Sequence, residues 1–358
     1  MAAAPHEVSS RRDEMFIARD WLKILSPLGS GDGHFREAMF FLVMRGAINI
    51  PLLRSISDRT NFQFAFFNLQ FAMLITPPLS LLITPPPFTP MTTPPLPEQI
   101  ELHRDRKWRR DEDLRIESAA SAERFIEDVG FANTLTDARR AGPSLYIAVC
   151  GRRDVSLPRN VQKDEETRLT WQLKDEVMRR GRVYYAKLAG GRSMFVAPAL
   201  ISHFAAIWMP RRKDEPQLLS DAAQRVLKVL RREHELATGD LRAESRVTER
   251  AAFTRALDEL QRQMKVIPQD VIYQPFSYIW IPAEDRFPEE LRKPIRRKTA
   301  LREIARAYLA GAGMSVLGET ARASGLSRVE AGSGNHQLVD EGYAIRLRQG
   351  MYALAIRT

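Results

Sequence analysis

The residues best suited to ligand chemistry in this sequence are arginines, and several of them are predicted to share one face of a helix. Apolar residues recur at helical spacing from Phe253 to Met264, and this stripe should face the core. The outward positions are then Arg250, Thr254, Arg255, Asp258 and Arg262. A guanidinium group is planar and always charged, so it suits phosphate and guanine. The helix therefore indicates contact with duplex DNA, and the alternative is an ordinary solvated face.

A second basic set lies on a predicted β-hairpin at residues 183–197. Two β-prone runs flank Gly190-Gly191, which is a typical two-residue turn. The basic residues of this ribbon are Arg182, Lys187 and Arg192. They suit the DNA backbone, because hairpins of DNA-binding folds contact phosphates. Basic residues on edge strands also discourage aggregation, so both interpretations stay open.

The densest basic cluster is RKPIRRK at residues 292–298, which includes Arg296 and Arg297. It lies between two predicted structural units. The cluster is either a linker that contacts phosphate or a linker that simply stays solvated.

Composition and residue spacing indicate which partners and which kinds of binding site to expect in this protein. The chain has 358 residues and a net charge of +10, and almost all of that charge lies after residue 90. This favours a polyanionic partner. The single cysteine, Cys150, excludes an intramolecular disulfide and a Cys-rich zinc module. The histidines lack metal-site spacing, and no phosphate-binding glycine loop occurs, so we predict no metal and no cofactor.

The first ninety residues differ from the rest, and we expect 1–90 to be an extension that forms no domain. Residues 62–76 are apolar, but fifteen helical residues span only about 23 Å against about 30 Å of hydrocarbon. Three interpretations remain: a membrane-associated segment, a helix packed on the main body, or upstream sequence included by a start placed too early. Met91 then begins a polar leader, 91–117. A membrane partner is not expected, and with no export signal and one cysteine we predict a cytoplasmic location.

The remaining chain repeats one order of elements three times, in predicted units at 118–215, 216–290 and 291–358. Each unit has helices followed by a β-hairpin, which is typical of a winged helix. Ser118 or Ser121 should cap the first helix, and Thr248 should cap the helix that carries the arginine face. In the third unit, Gly332 and Gly334 disfavour a recognition helix, so that unit is predicted to serve packing.

Residues 174–204 resemble the AlkZ-like family of tandem winged-helix proteins, and in particular its AlkZ-related branch. The resemblance lies in Trp171, Lys174-Asp175-Glu176, the YYAKL strand and the turn with Arg192, and continues through residues 255–268 and 298–311. It implies three consecutive winged helices that bind DNA. The characterised enzymes of the family are DNA glycosylases that release alkylated or crosslinked purines with a Q-x-Q or Q-x-D triplet. The nearby match is Gln162-Lys163-Asp164, in a charged stretch where the family has apolar surroundings.

We therefore predict a mainly α fold with short β-hairpins (α+β), built from three tandem winged-helix units. The predicted function is binding of duplex DNA through hairpins and a basic helix, in the context of DNA repair. One alternative is a DNA glycosylase that uses Gln162 and Asp164. A second alternative is a non-catalytic protein-interaction module, because a fold does not determine a function.

Overall fold

The computed structural model describes residues 96–161 and 163–355. The predicted extension 1–90 and the candidate Gln162 lie outside these described residues. The described chain begins with helix α1 (Glu98–Trp108), within the segment predicted as a polar leader. The Arg104 guanidinium of α1 is buried and forms an ion pair with Glu319, 2.9 Å away. It also donates to the carbonyl oxygens of Ala312 and Met314, so α1 is anchored to the C-terminal part of the fold.

The first winged-helix unit contains three helices and three strands. They are α2 (Ala119–Val129), β1 (Phe131–Asn133), α3 (Leu145–Cys150), α4 (Glu165–Arg180), β2 (Tyr184–Lys187) and β3 (Ser193–Val196). The strands form an antiparallel sheet in the order β1-β3-β2. Ser118 caps α2 in a reciprocal arrangement with Ser121, and Gly181 ends α4 in the left-handed conformation. We call the β2–β3 hairpin, residues 184–196, the first wing.

Two helices connect the first unit to the second. They are α5 (Pro198–Trp208) and the short α6 (Glu215–Leu218). The second unit then has α7 (Asp221–Glu233), β4 (Leu236–Ala237), α8 (Thr238–Glu244), α9 (Arg250–Arg262), β5 (Val266–Tyr273) and β6 (Phe276–Pro282). Its sheet order is β4-β6-β5. We call the β5–β6 hairpin, residues 266–282, the second wing.

Short helices α10 (Ala283–Arg286) and α11 (Pro288–Arg292) lead to the third unit. That unit has α12 (Arg297–Ala312), β7 (Met314–Ser315), α13 (Glu319–Ser324), α14 (Arg328–Asp340), β8 (Ala344–Arg348) and β9 (Met351–Leu354). Its sheet order is β7-β9-β8. The same strand order, with the first strand paired to the last, therefore occurs in all three units, and the predicted fold of three tandem winged helices is confirmed.

Two local predictions were wrong. The helix α9 has Glu249 at its N-cap and no capping side-chain bond, so Thr248 does not cap it. The turn of the first wing is longer than the predicted two residues, because the Leu188 N–H donates to the Arg192 carbonyl oxygen and residues 189–191 lie between them. The segment with Gly332 and Gly334 nevertheless forms the full helix α14, which Ser327 and Glu330 cap reciprocally, and its packing role stays a prediction. Gly334 is also where α14 meets α12, since a Cβ atom there would overlap the Leu301 carbonyl oxygen. The glycine thus permits close helix packing.

The cores show which units are joined. One large apolar cluster extends from the first unit through Phe204 of α5 to Ile304 and Tyr308 of α12. The helices of the second unit have a separate core around Leu227, Leu230 and others. The first and third units therefore share a core, to which the second wing adds Ile267 and Val271, and α9 contacts the first wing. Within the described residues, no helix is both long and apolar enough to cross a membrane.

Candidate nucleic-acid interface

Helix α9 of the second unit presents the predicted arginine face. Phe253, Leu257 and Leu260 are buried on one side, as their spacing indicates. The predicted outward residues Arg250, Thr254, Arg255 and Arg262 are all exposed. The Arg255 side chain is 71% exposed, and its Nη2 atom lies 3.8 Å from Glu249. Such an exposed pair is weak, so the guanidinium groups of this face are accessible to a ligand.

The first wing lies against this helix. The Lys187 Nζ atom donates to the Asp258 carboxylate at 2.8 Å, and the Lys187 backbone N–H donates to Gln261 at 3.0 Å. The Arg262 Nε atom donates to the Asp258 carbonyl oxygen at 3.2 Å. Lys187 therefore lies beside the cationic residues of α9. The sequence predicted Lys187 as a basic residue of the hairpin, but it did not predict this contact with the second unit.

The other strand of the same wing reaches the third unit. The Arg192 Nη2 atom donates to the Arg322 carbonyl oxygen of α13 at 2.6 Å, and its Nε atom donates to Asn133 at 3.3 Å. Burial lowers the pKa of the half-buried Arg192, and the positive charge of Arg140 lowers it further. The turn of the wing is thus held between α9 and α13.

Two pairs of arginines lie on the wing or on the elements beside it. Arg140 lies close enough to Arg192 to repel it. A Cβ atom on Gly318 would lie 3.2 Å from Arg322 and 3.7 Å from Arg328, so these two side chains share one small region. Among the described residues, none of these four arginines forms a salt bridge. We call Arg140, Arg192, Arg322 and Arg328 the arginine cluster, and sequence analysis identified only Arg192 among them.

The remaining basic candidates lie elsewhere or are engaged. Arg182 precedes β2 and is 68% exposed, with its Nη1 atom 3.6 Å from Glu123. Arg296 is exposed at the N-cap of α12. Arg297 donates to the Ile207 carbonyl oxygen at 3.1 Å and forms an ion pair with Glu330. The structure therefore brings together the α9 and wing residues, while Arg297 connects α12 to neighbouring elements.

Asp164 has a structural contact. Its Oδ1 atom accepts a hydrogen bond from the Thr167 backbone N–H at 2.7 Å, and Asp164 is the N-cap of α4. Its neighbour in the candidate triplet, Gln162, lies outside the described residues. Within residues 96–161 and 163–355, no group of His, Cys, Asp and Glu side chains could hold a metal ion.

A buried polar cluster fixes the second wing to α4 of the first unit. The Lys174 Nζ atom lies 2.9 Å from the Tyr278 hydroxyl and forms an ion pair with Asp175. Burial alone would lower the pKa of Lys174, but Tyr185, Tyr278 and Asp175 together raise it above its ordinary value. Lys174 therefore forms a buried polar contact that holds the first and second units together.

Two comparisons with known proteins find similarities to this chain. The model of the AlkZ-related family matches residues 116–275. Among solved structures, the chain is similar to Streptomyces sahachiroi DNA glycosylase AlkZ, with 11% sequence identity and a TM-score of 0.45. That similarity covers 72% of this chain and 69% of the other. The comparison with curated proteins finds no match. The matched residues include the first unit and most of the second, and the family is the one that the sequence resembles.

Proposed function

We propose that the protein binds duplex DNA through the arginine face of α9 and the arginine cluster at the first wing. The observation that carries this proposal is the placement of the wing. Lys187 at one end of its turn contacts α9, and Arg192 at the other end contacts α13. Two cationic regions separated in sequence are thereby joined by one hairpin.

Electrostatics support a polyanion as the ligand. Like-charged guanidinium groups repel one another, and Arg192 is additionally penalised by partial burial. Phosphate groups would relieve this repulsion, and arginine binds their oxygens with two parallel hydrogen bonds. A DNA backbone supplies phosphates at regular spacing, so it suits several arginines at once.

The test is a salt series of binding to a labelled duplex, with the full chain and with Arg250→Ala, Arg255→Ala and Arg262→Ala. Each phosphate contact that is lost should reduce the salt slope by about one. Arg211→Ala is the matched control, because this side chain is 79% exposed and lies in the connection before α6. Unchanged affinity in all three α9 variants would show that DNA does not bind at this helix.

The same series addresses the protein-interaction alternative. Absence of binding to duplex at low salt would overturn the DNA proposal and favour a protein partner. Base excision, the other alternative, is tested separately by comparing the full chain with Gln162→Ala on alkylated duplex. The capping bond of Asp164 already occupies one oxygen of its carboxylate, so no contact of the described residues favours a catalytic role for it.

We also propose a cytoplasmic location, which agrees with a free, buried Cys150.

A further inference from the structure

The tip of the second wing exposes a group of large apolar side chains. Residues 272–276 are five consecutive exposed residues. Ile272 is 42%, Tyr273 is 58% and Phe276 is 65% exposed. A polar tip would be better solvated, and clustered exposed aromatic residues often mark a binding surface.

Contacts at its base hold the tip in place. The Tyr273 hydroxyl donates to the Asp175 carboxylate of α4 at 3.0 Å. The rings of Phe276 and Tyr278 are in edge-to-face contact, with centroids 5.5 Å apart. The aromatic side chains are therefore already positioned, which lowers the entropy lost on binding.

The direction of the wing along α4 places the tip near another exposed aromatic residue. Arg179 of α4 contacts Asp270 at 2.8 Å, and Asp175, one turn earlier on the helix, contacts Tyr273. The strand and the helix thus run in opposite directions, so the tip lies toward the N-terminal half of α4. Trp171 is there and is 39% exposed.

Positive charge accompanies these rings. Arg168 lies three residues before Trp171, so the two side chains are neighbours on the helix surface. The Arg168 side chain is 63% exposed, and its ion pair with the 89% exposed Glu165 spans 3.8 Å. A long ion pair in solvent competes poorly with phosphate. In addition, α4 is the third helix of its unit, which is the helix that approaches DNA in winged-helix proteins.

We propose that Tyr273, Phe276 and Trp171 stack on unpaired nucleobases, and that the protein therefore prefers DNA containing unpaired bases to intact duplex. This inference rests on the proposed DNA-binding function. Aromatic rings stack on any base, because every base has a π-face. Intact duplex offers them little, since its bases are already stacked on one another.

The test uses fluorescence anisotropy with the full chain, at one fixed salt concentration. The two probes are a labelled duplex and the same duplex with a central bubble of unpaired bases. The expected preference for the bubble is about ten-fold, in the range of stacking on one base. Phe276→Ala should remove most of this preference and leave affinity for intact duplex unchanged. Phe276→Tyr, which keeps the ring, should retain it.

Leu218→Ala is the matched control, because Leu218 is a 58% exposed apolar residue on α6. It should bind both probes as the unsubstituted chain does. Equal affinity for bubble and duplex would overturn the inference while leaving the proposed function intact. An equal loss on both probes in Phe276→Ala would also overturn it, because the tip would then be a general contact. Absence of binding to either probe at low salt would instead reject DNA binding itself.

Discussion

The Lys187 ammonium of the first wing lies 2.8 Å from the Asp258 carboxylate on the third helix of the second unit. The pair is partly exposed, with 41% of the Lys187 side chain and 34% of the Asp258 side chain accessible. A pair in this environment contributes no more than about 1 kcal/mol to stability. Its larger effect is on charge, because Asp258 neutralises one cation within the stripe of Arg255 and Arg262.

We therefore predict that Asp258→Asn tightens binding to duplex DNA several-fold and steepens the salt slope by about one, because Lys187 becomes available to phosphate. The free energy of unfolding should change by less than about 1 kcal/mol. Anisotropy over a salt series and urea denaturation measure the two effects. Asp214→Asn is the matched control, because it removes the same charge in the connection before α6, where Asp214 pairs with Arg211. It should leave DNA affinity unchanged. Weaker binding in Asp258→Asn would mean that Asp258 is needed to position Lys187.

Two glycines on α14 should respond oppositely to the same substitution. Gly334→Ala places a methyl group against the Leu301 carbonyl and the Ala305 side chain of α12. It should destabilise the fold by about 1–3 kcal/mol, as overpacking does. Gly332→Ala meets no atom within 4 Å and should stabilise the helix by up to about 1 kcal/mol. Urea denaturation of both variants provides the comparison, and equal effects would contradict the close approach of α12 and α14.

The buried Arg104 should be important for stability. Arg104→Met leaves the Glu319 carboxylate buried without its partner, which costs about 3–5 kcal/mol. Arg106→Met removes the same charge from an exposed position on the same helix and should have little effect. Thermal denaturation distinguishes the two variants. A normal melting temperature for Arg104→Met would show that α1 does not depend on this ion pair.

Stability should also fall in acid because of Glu215. Burial alone would raise the pKa of this carboxyl group, but hydrogen bonds from Arg231 and Lys265 lower it below its usual value of 4.5. The folded pKa is thus lower than the unfolded one, so the contribution is complete above about pH 4.5 and is lost as pH falls through the folded pKa.

Glu215→Gln should be less stable than the unsubstituted chain at neutral pH and should lose less stability on acidification. Denaturation midpoints at pH 7 and at pH 3–4 test this expectation. Glu176→Gln serves as the control, since Glu176 is 54% exposed and its ion pair with Arg180 spans 3.8 Å. Parallel pH profiles for Glu215→Gln and the unsubstituted chain would contradict it.

Local features were predictable from sequence because they depend on neighbouring residues. The capping serines, the stop at Gly181 and the hairpin around Gly190-Gly191 all follow from short-range backbone chemistry. The buried stripe of α9 follows from helical periodicity. These signals suffice for the order of elements and hence for three winged helices.

Contacts between units were not predictable. Nothing around Arg192 in the sequence indicates Arg322, because 130 residues separate them. From sequence, Gly334 indicated only a weak helix. The structure shows that a glycine is needed there because the backbone of α12 lies too close for a side chain. The sequence does not indicate that Trp171 is 39% exposed whereas Tyr184 is buried, because packing between elements decides exposure.

The first two units cover each other reciprocally: the first wing contacts α9, and the second wing contacts α4. This arrangement removes the modularity that repeated domains usually have. An excised first unit would uncover Lys174 and Asp175, and an excised second unit would lose the hairpin that packs against its own third helix. Because the first unit also shares its core with the third, we expect all three units to unfold as one cooperative block rather than as separable domains.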